Sequence, residues 1–190
     1  MFYLLYFNIL KGNPYESEDT KAMNILKYLM FCLVLSVFIP TVAKAEGTIQ
    51  SKIDEVSAGA TIEIDSGEYE ETLVINKPIN LVGKGEVHLR SCQSKPTVTI
   101  SGESVTLKNM KVEHCGKEKE DTAIYITGSH HKLEGISVAT KRIGIKLDQA
   151  NSVKIQNSKI VGNWQGNGID LWKSNQNKFE NNKITNITKV

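Results

Sequence analysis

The sequence predicts an all-β chain coiled as a parallel β-helix of about five turns behind a short N-terminal capping helix. The first observation is an internal repeat. Within Ile145 to Ile184, Ile-Lys-Leu followed by Val-Lys-Ile-Gln-Asn-Ser-Lys-Ile recurs one repeat later as Ile-Asp-Leu followed by Asn-Lys-Phe-Glu-Asn-Asn-Lys-Ile. Extended backwards, the pattern gives four aligned lines ending at Val112, Val138, Ile160 and Ile184, with steps of 26, 22 and 24 residues. A more diverged fifth line precedes them, with Leu81 standing one such step before Leu107. The second observation is alternation: Ile124 and Ile126, then Leu133, then Ile136 and Val138 face one way, while Tyr125, Thr127, Lys132 and Ser137 face the other, which is the strand period. The third is that no apolar run in the repeats is long enough for a helix. Leucine-rich repeats share this period but carry a leucine-dense consensus and a helical return, and propeller blades need about 40 residues or more.

Taken in order, residues 1–22 read as an extension upstream of the true start at Met23. Residues 23–45 read as a signal peptide: Lys27 precedes the apolar run Tyr28 to Ile39, and "AKA" at Ala43 to Ala45 supplies the cleavage site. That run is too short for a bilayer, which takes about 20 apolar residues to span, so the exported chain is expected to begin at Glu46, without a stable membrane span, in the periplasm or medium. Residues 46–60 form the cap, since Ile49, Ile53 and Val56 recur at helical spacing. Residues 61–190 are the repeats. Their last coil has no evident cap, as expected of a solenoid continued elsewhere or of an edge open to another chain.

From Glu46 onward, 19 Lys and Arg stand against 18 Asp and Glu, a net +1 with no basic block. That composition gives no reason to expect nucleic acid as a partner. Cys92 and Cys115 remain after the signal is removed, an even number in a compartment that permits disulfides.

Equivalent residues of successive coils should stack about 4.8 Å apart. Leu107, Leu133, Ile155 and Phe179 form one core row. Asn109, Asn157 and Asn181, with Gly135 between, occupy one bend, where amides can form a ladder and tolerate a left-handed backbone. Outward rows run Thr99, Tyr125, Lys146, Asp170 and Ser101, Thr127, Asp148, Trp172.

Two stretches carry a family resemblance. "IQSKIDEVSAGATIEIDSGEYEETLVINKPINLVGKGE" looks like a capping helix, a G-x-Y-x-E turn and L-x-G, and "GNGIDLWKSNQNKFENNKI" looks like a G-I-x-L…N-x-F/I-x-N-x-I coil. Together they resemble the NosD family of periplasmic β-helix proteins that accompany nitrous oxide reductase, within the wider pectin-lyase-like superfamily. The resemblance implies a right-handed β-helix outside the cytoplasm. For true members it implies a part in copper delivery to the reductase together with a transporter.

Copper would need donors. His88, His114, Cys92 and Cys115 are the expected set, because His88 and His114 are separated by the local coil step, the same spacing as Leu81 to Leu107, and imidazole with thiolate suits copper. The competing reading joins Cys92 to Cys115 as a coil-to-coil disulfide and leaves the histidines, His130 and His131 included, as turn residues. Polysaccharide-active β-helix enzymes need carboxylates on one outward face, which Asp148 and Asp170 provide, with Lys146 to meet an acidic sugar. The plainer reading of that pair is a solvated face in which Asp170 and Lys146 form a cross-strand ion pair. Binding without chemistry asks less: Tyr125, Lys146, Asp170 and Trp172, with Trp164 nearby, suit a sugar chain stacked on aromatic rings. The expectation is therefore a non-catalytic binding protein for an extracytoplasmic protein partner or a cell-envelope glycan. A lyase or hydrolase is the alternative.

Overall fold

The computed structural model describes residues 48–188. The extension and signal peptide expected over 1–45, and the last two residues, lie outside the described residues. Helix α1 (Ile49–Glu55) is shorter than the 46–60 expected. Thr48 starts it by accepting from the Ser51 N–H at 3.1 Å, and the Glu71 carboxylate takes the Ile49 and Gln50 N–H groups at 2.8 and 3.1 Å. Those are two of the donors every helix start leaves without an internal partner. Ile49 and Ile53 are buried against the first coil. Among the described residues no helix is long and apolar enough to cross a membrane.

Strands β1 (Thr61–Glu70), β2 (Leu73–Ile75) and β3 (Asn80–Ser91) open the solenoid. Each later coil then repeats three short strands. These are β4 (Val98–Ile100), β5 (Thr106–Lys108) and β6 (Lys111–His114); β7 (Thr122–Ser129), β8 (Lys132–Glu134) and β9 (Ser137–Thr140); β10 (Ile143–Asn151), β11 (Lys154–Gln156) and β12 (Lys159–Val161); and β13 (Ile169–Trp172), β14 (Lys178–Glu180) and β15 (Lys183–Thr185). All pairs are parallel. A five-stranded sheet stacks β2, β4, β7, β10 and β13, and a ten-stranded sheet holds the rest. In the larger sheet β3 spans a bend: β5, β8, β11 and β14 continue from its first half, and β6, β9, β12 and β15 from its second.

Three apolar rows run along the axis, the predicted Leu107 row among them. Leu81, Leu107, Leu133, Ile155 and Phe179 stand in register, as do Leu89, Val112, Val138, Ile160 and Ile184 and Val98, Ile124, Ile145 and Ile169. Most are fully buried. A fully buried Leu, Ile or Val side chain contributes about 1.5–3 kcal/mol, so a solenoid this thin is held by its three apolar columns. Asn109, Gly135, Asn157 and Asn181 each turn the chain at the bend with φ of 53°, 63°, 51° and 53°. Asn and Gly adopt that left-handed conformation at least cost, which explains their alternation there.

One register expectation fails. Leu81 pairs with Leu107, a spacing of 26, but Leu89 pairs with Val112, a spacing of 23. The bend of β3 around Gly83 to Glu86 carries three residues more than the corresponding bend at Asn109, so the first coil step is not constant around the turn. This matters for the histidines.

Candidate binding face

The outer face of the five-stranded sheet carries the expected polar row: Thr99, Tyr125, Lys146 and Asp170 are direct neighbours from coil to coil. Asp148 pairs with Trp172, but the ladder slips by one residue between Leu147 and Ala150, so Thr127 is not its direct partner on the other side. Because β10 places Lys146 and Asp148 two residues apart on one side of the strand, and β13 does the same with Asp170 and Trp172, all four project to one side. Asp148 and Asp170 are therefore diagonal neighbours.

Tyr125 donates its hydroxyl proton to Asp148 Oδ2 at 2.8 Å. Burial, followed by the Asp148 carboxylate, pushes the Tyr125 hydroxyl above its ordinary pKa. The second carboxylate oxygen, Asp148 Oδ1, is buried without a hydrogen-bond partner among the described residues. Lys146 lies in register with Asp170, yet its ammonium pairs with Glu120 Oε2 at 3.5 Å, and the cross-strand ion pair expected with Asp170 does not form. That leaves the Asp170 carboxylate turned to a cleft of about 680 Å³, lined also by Glu120, Arg142, Gln165 and Asn167. Arg142 is fixed there by donating to the Lys117 and Gln165 carbonyls at 2.6 and 3.2 Å. Trp172 is 58% exposed and Trp164 67% exposed. The Lys173 ammonium sits 5.7 Å from the Trp172 ring centroid.

The copper set is not brought together. His88 faces outward on β3 and bridges Glu68 and Glu113, with Nδ1 2.6 Å and Nε2 3.0 Å from their carboxylates. His114 faces inward on β6, next to Ser91 rather than His88. There Nδ1 lies 3.1 Å from the Thr97 hydroxyl and Nε2 3.6 Å from Asp121. The three extra residues in the β3 bend separate the two imidazoles and put them on opposite faces. Cys92 and Cys115 are joined as a disulfide with Cα atoms 4.7 Å apart, so neither sulfur is a free thiolate donor. Among the described residues no group of three or more His, Cys, Asp or Glu side chains is arranged to hold a metal ion, and these four do not fit copper.

His131 has a role the sequence did not reveal. Buried on the inner side, it accepts the Val105 N–H at Nδ1 (3.2 Å) and donates from Nε2 to the Thr127 carbonyl (2.9 Å). Burial holds its pKa below the usual value. Asn177 and Asn182 do similar work, each accepting a backbone N–H from the preceding coil at 2.8 and 2.9 Å and donating back to a carbonyl there. Their Asn-Lys-(Phe or Ile) repeat was visible, but nothing in it says which amides bridge coils.

A family model described as "right handed beta helix region" matches residues 50–190. The chain belongs to that family. Two solved structures of similar shape are a pectin methylesterase from Aspergillus niger (18% identity, TM-score 0.56, 73% of this chain and 55% of that one) and a pectin methylesterase mutant in complex with a hexasaccharide (14% identity, TM-score 0.52, 72% of this chain and 63% of that one). At that identity they show the shared fold, and the chain spans little more than half of each. No curated protein matches the sequence significantly. In this right-handed β-helix, then, the outer face of β7, β10 and β13 joins exposed aromatic rings, alternating charges and a cleft.

Proposed function

We propose that this β-helix is an exported, non-catalytic glycan-binding protein whose sugar chain lies across the outer face of β7, β10 and β13. The observation that carries the reading is Trp172: an exposed indole on the same face as Asp170, which has no ion-pair partner among the described residues and lines the cleft. An aromatic face packs against the apolar face of a pyranose, and the polar groups around it order the hydroxyls. A similar fold in complex with a hexasaccharide supports a sugar as the ligand class. Export rests on the leader read at residues 23–45.

The test is isothermal titration of the full chain against a panel of linear oligosaccharides. Trp172→Ala should weaken the best ligand about tenfold, the effect of losing roughly 1.4 kcal/mol of stacking. A parent that binds none of the panel overturns the reading.

A polysaccharide lyase or hydrolase is a second reading, favoured by one feature: Asp148 and Asp170 are diagonal on one face, and Asp148 keeps a buried oxygen without a partner. In it Lys146 would meet an acidic sugar. Alanine at both aspartates must then abolish turnover of acidic glycans. The NosD resemblance supports another accessory role, copper delivery to nitrous oxide reductase. Without an assembled donor set in the described coils, that role would rest on docking to a protein partner.

A further inference from the structure

The ten-stranded sheet has an outer side that neither the binding face nor the cleft uses. At its bend Asn109, Asn157 and Asn181 are exposed, with Gly135 between them, and Asn181 donates to the Asn157 amide oxygen at 3.4 Å. At the first coils the bend opens into a groove of about 820 Å³, lined by Glu68, Glu86, His88, Asn109, Lys111 and Ser137. Beyond that cavity the bend itself continues along the axis by register, flanked on one side by Glu134, Gln156 and Glu180 and on the other by Ser137, Lys159 and Lys183.

Charge along the bend is strongly one-sided in the later coils. Lys132, Lys154 and Lys178 stack in one row. The Glu134 carboxylate is shared by Lys108 and Lys132 at 2.8 and 2.9 Å, and Glu180 by Lys154 and Lys178 at 2.9 and 2.5 Å. Two carboxylates thus serve four ammonium groups. Across the bend, among the described residues, Lys159 and Lys183 have no carboxylate within ion-pair distance, although their neighbours in the first coils are tied to Glu113 and Glu68. The outcome is a cationic strip over β8, β11, β12, β14 and β15, with the Asn157 and Asn181 amides at its bend and successive coils about 4.8 Å apart.

We infer that the outer surface along this bend is a second binding surface, separate from the Trp172 face, and that its ligand is a linear acidic polysaccharide running along the solenoid axis. A uronate chain places one carboxylate on each sugar, and a sugar in an extended chain advances by a length comparable to one coil, so cations and anions stay in step. Hydroxyls find the asparagine amides. Single-stranded nucleic acid shares the negative charge but calls for aromatic platforms, and the strands flanking this bend present no Phe, Tyr or Trp on their outer side. The inference does not depend on the Trp172 proposal.

The experiment is affinity electrophoresis of the full chain through gels containing polygalacturonate, its methyl-esterified form, or single-stranded DNA, at one ionic strength. Lys159→Glu with Lys183→Glu should weaken polygalacturonate binding about tenfold or more, because each reversal replaces an attraction by a repulsion. Lys52→Glu with Lys95→Glu makes the same change in net charge on α1 and on the loop after β3, away from the bend, and should leave affinity within about twofold if local charge governs, since such distant charges are screened. Binding should vanish on the esterified polymer. The second surface is overturned if the parent does not bind polygalacturonate, if the control pair costs as much as the bend pair, or if single-stranded DNA binds more tightly. It is also overturned if only Trp172→Ala reduces binding, a result that would leave the outer-face proposal standing.

Discussion

Tyr125 and Asp148, 23 residues apart, meet across adjacent coils through a 2.8 Å hydrogen bond from phenol to carboxylate. This contact fixes the geometry of the outer face, because it takes one oxygen of Asp148 while the other lies buried with no partner among the described residues. Removing the phenolic hydroxyl leaves the carboxylate with neither. Tyr125→Phe should therefore lower stability by about 1–2 kcal/mol, the cost of stranding a half-buried polar group, read as a shift in the denaturant midpoint. Asp148→Asn should bring the Tyr125 hydroxyl back toward its ordinary pKa of 10.0, read by ultraviolet titration of the phenolate.

The core row from Leu81 to Phe179 predicts a gradient. Leu133 is fully buried between Leu107 and Ile155 in register, whereas Phe179 is 40% exposed at the last coil. Leu133→Ala should cost about 3–4 kcal/mol, within the range for a buried leucine that leaves a cavity. Phe179→Ala should cost about 1 kcal/mol, because a ring left partly in water gains less from burial. Equal costs in urea unfolding would mean that the last coil is covered in solution.

These rows were legible because the sequence repeats. Wherever the step between coils is set by a short, constant bend, equivalent positions can be counted, and the Leu107 and Tyr125 rows and the Asn109 bend were placed correctly. Counting failed where the bend changes length. The step that pairs Leu81 with Leu107 was carried to His88 and His114, but beyond the bend Leu89 pairs with Val112 at a spacing of only 23, and three residues reverse which face a side chain occupies. Side-chain pairing was less legible still. Lys146 was expected to bind Asp170 from register alone, yet Glu120 in the preceding loop competes for it, and no strand pattern records where a loop carboxylate will reach.

Stability should fall in acid in two separate windows. His131 is neutral in the fold, since Nδ1 accepts and Nε2 donates, and burial depresses its pKa below 6.5. The unfolded chain takes up that proton first, so the stabilisation is complete above 6.5 and shrinks as the pH falls below it. Glu134 is held down to about 2 by Lys108, Lys132 and Gln156. Its contribution is present above the unfolded value of 4.5 and is lost as the pH falls toward about 2. In melting curves taken across pH, His131→Gln should flatten the drop that begins near 6.5, and Glu134→Gln the one below 4.5. A parent whose melting temperature is level from neutral pH to 5 would refute the assignment of His131 as a neutral, buried link (unfolded His titrates near ~6.5).

The disulfide joins the coil ends rather than the strands. Cys92 follows β3 and Cys115 follows β6, and the Cys115 N–H already donates to the Ser91 carbonyl at 3.0 Å. The ladder is thus complete without the sulfurs, and what the bond adds is closure of the 23-residue loop that carries β4, β5 and β6. Constraining a loop of that length in the unfolded chain stabilises the fold by about 3 kcal/mol. Cys92→Ser with Cys115→Ser should lower stability by about that amount while preserving the strand signal in circular dichroism, and a reductant should do the same to the parent. The double variant should also be insensitive to reductant. If reductant leaves the parent's midpoint unchanged, the two cysteines are not joined in solution, and their thiols become free for other chemistry on that edge.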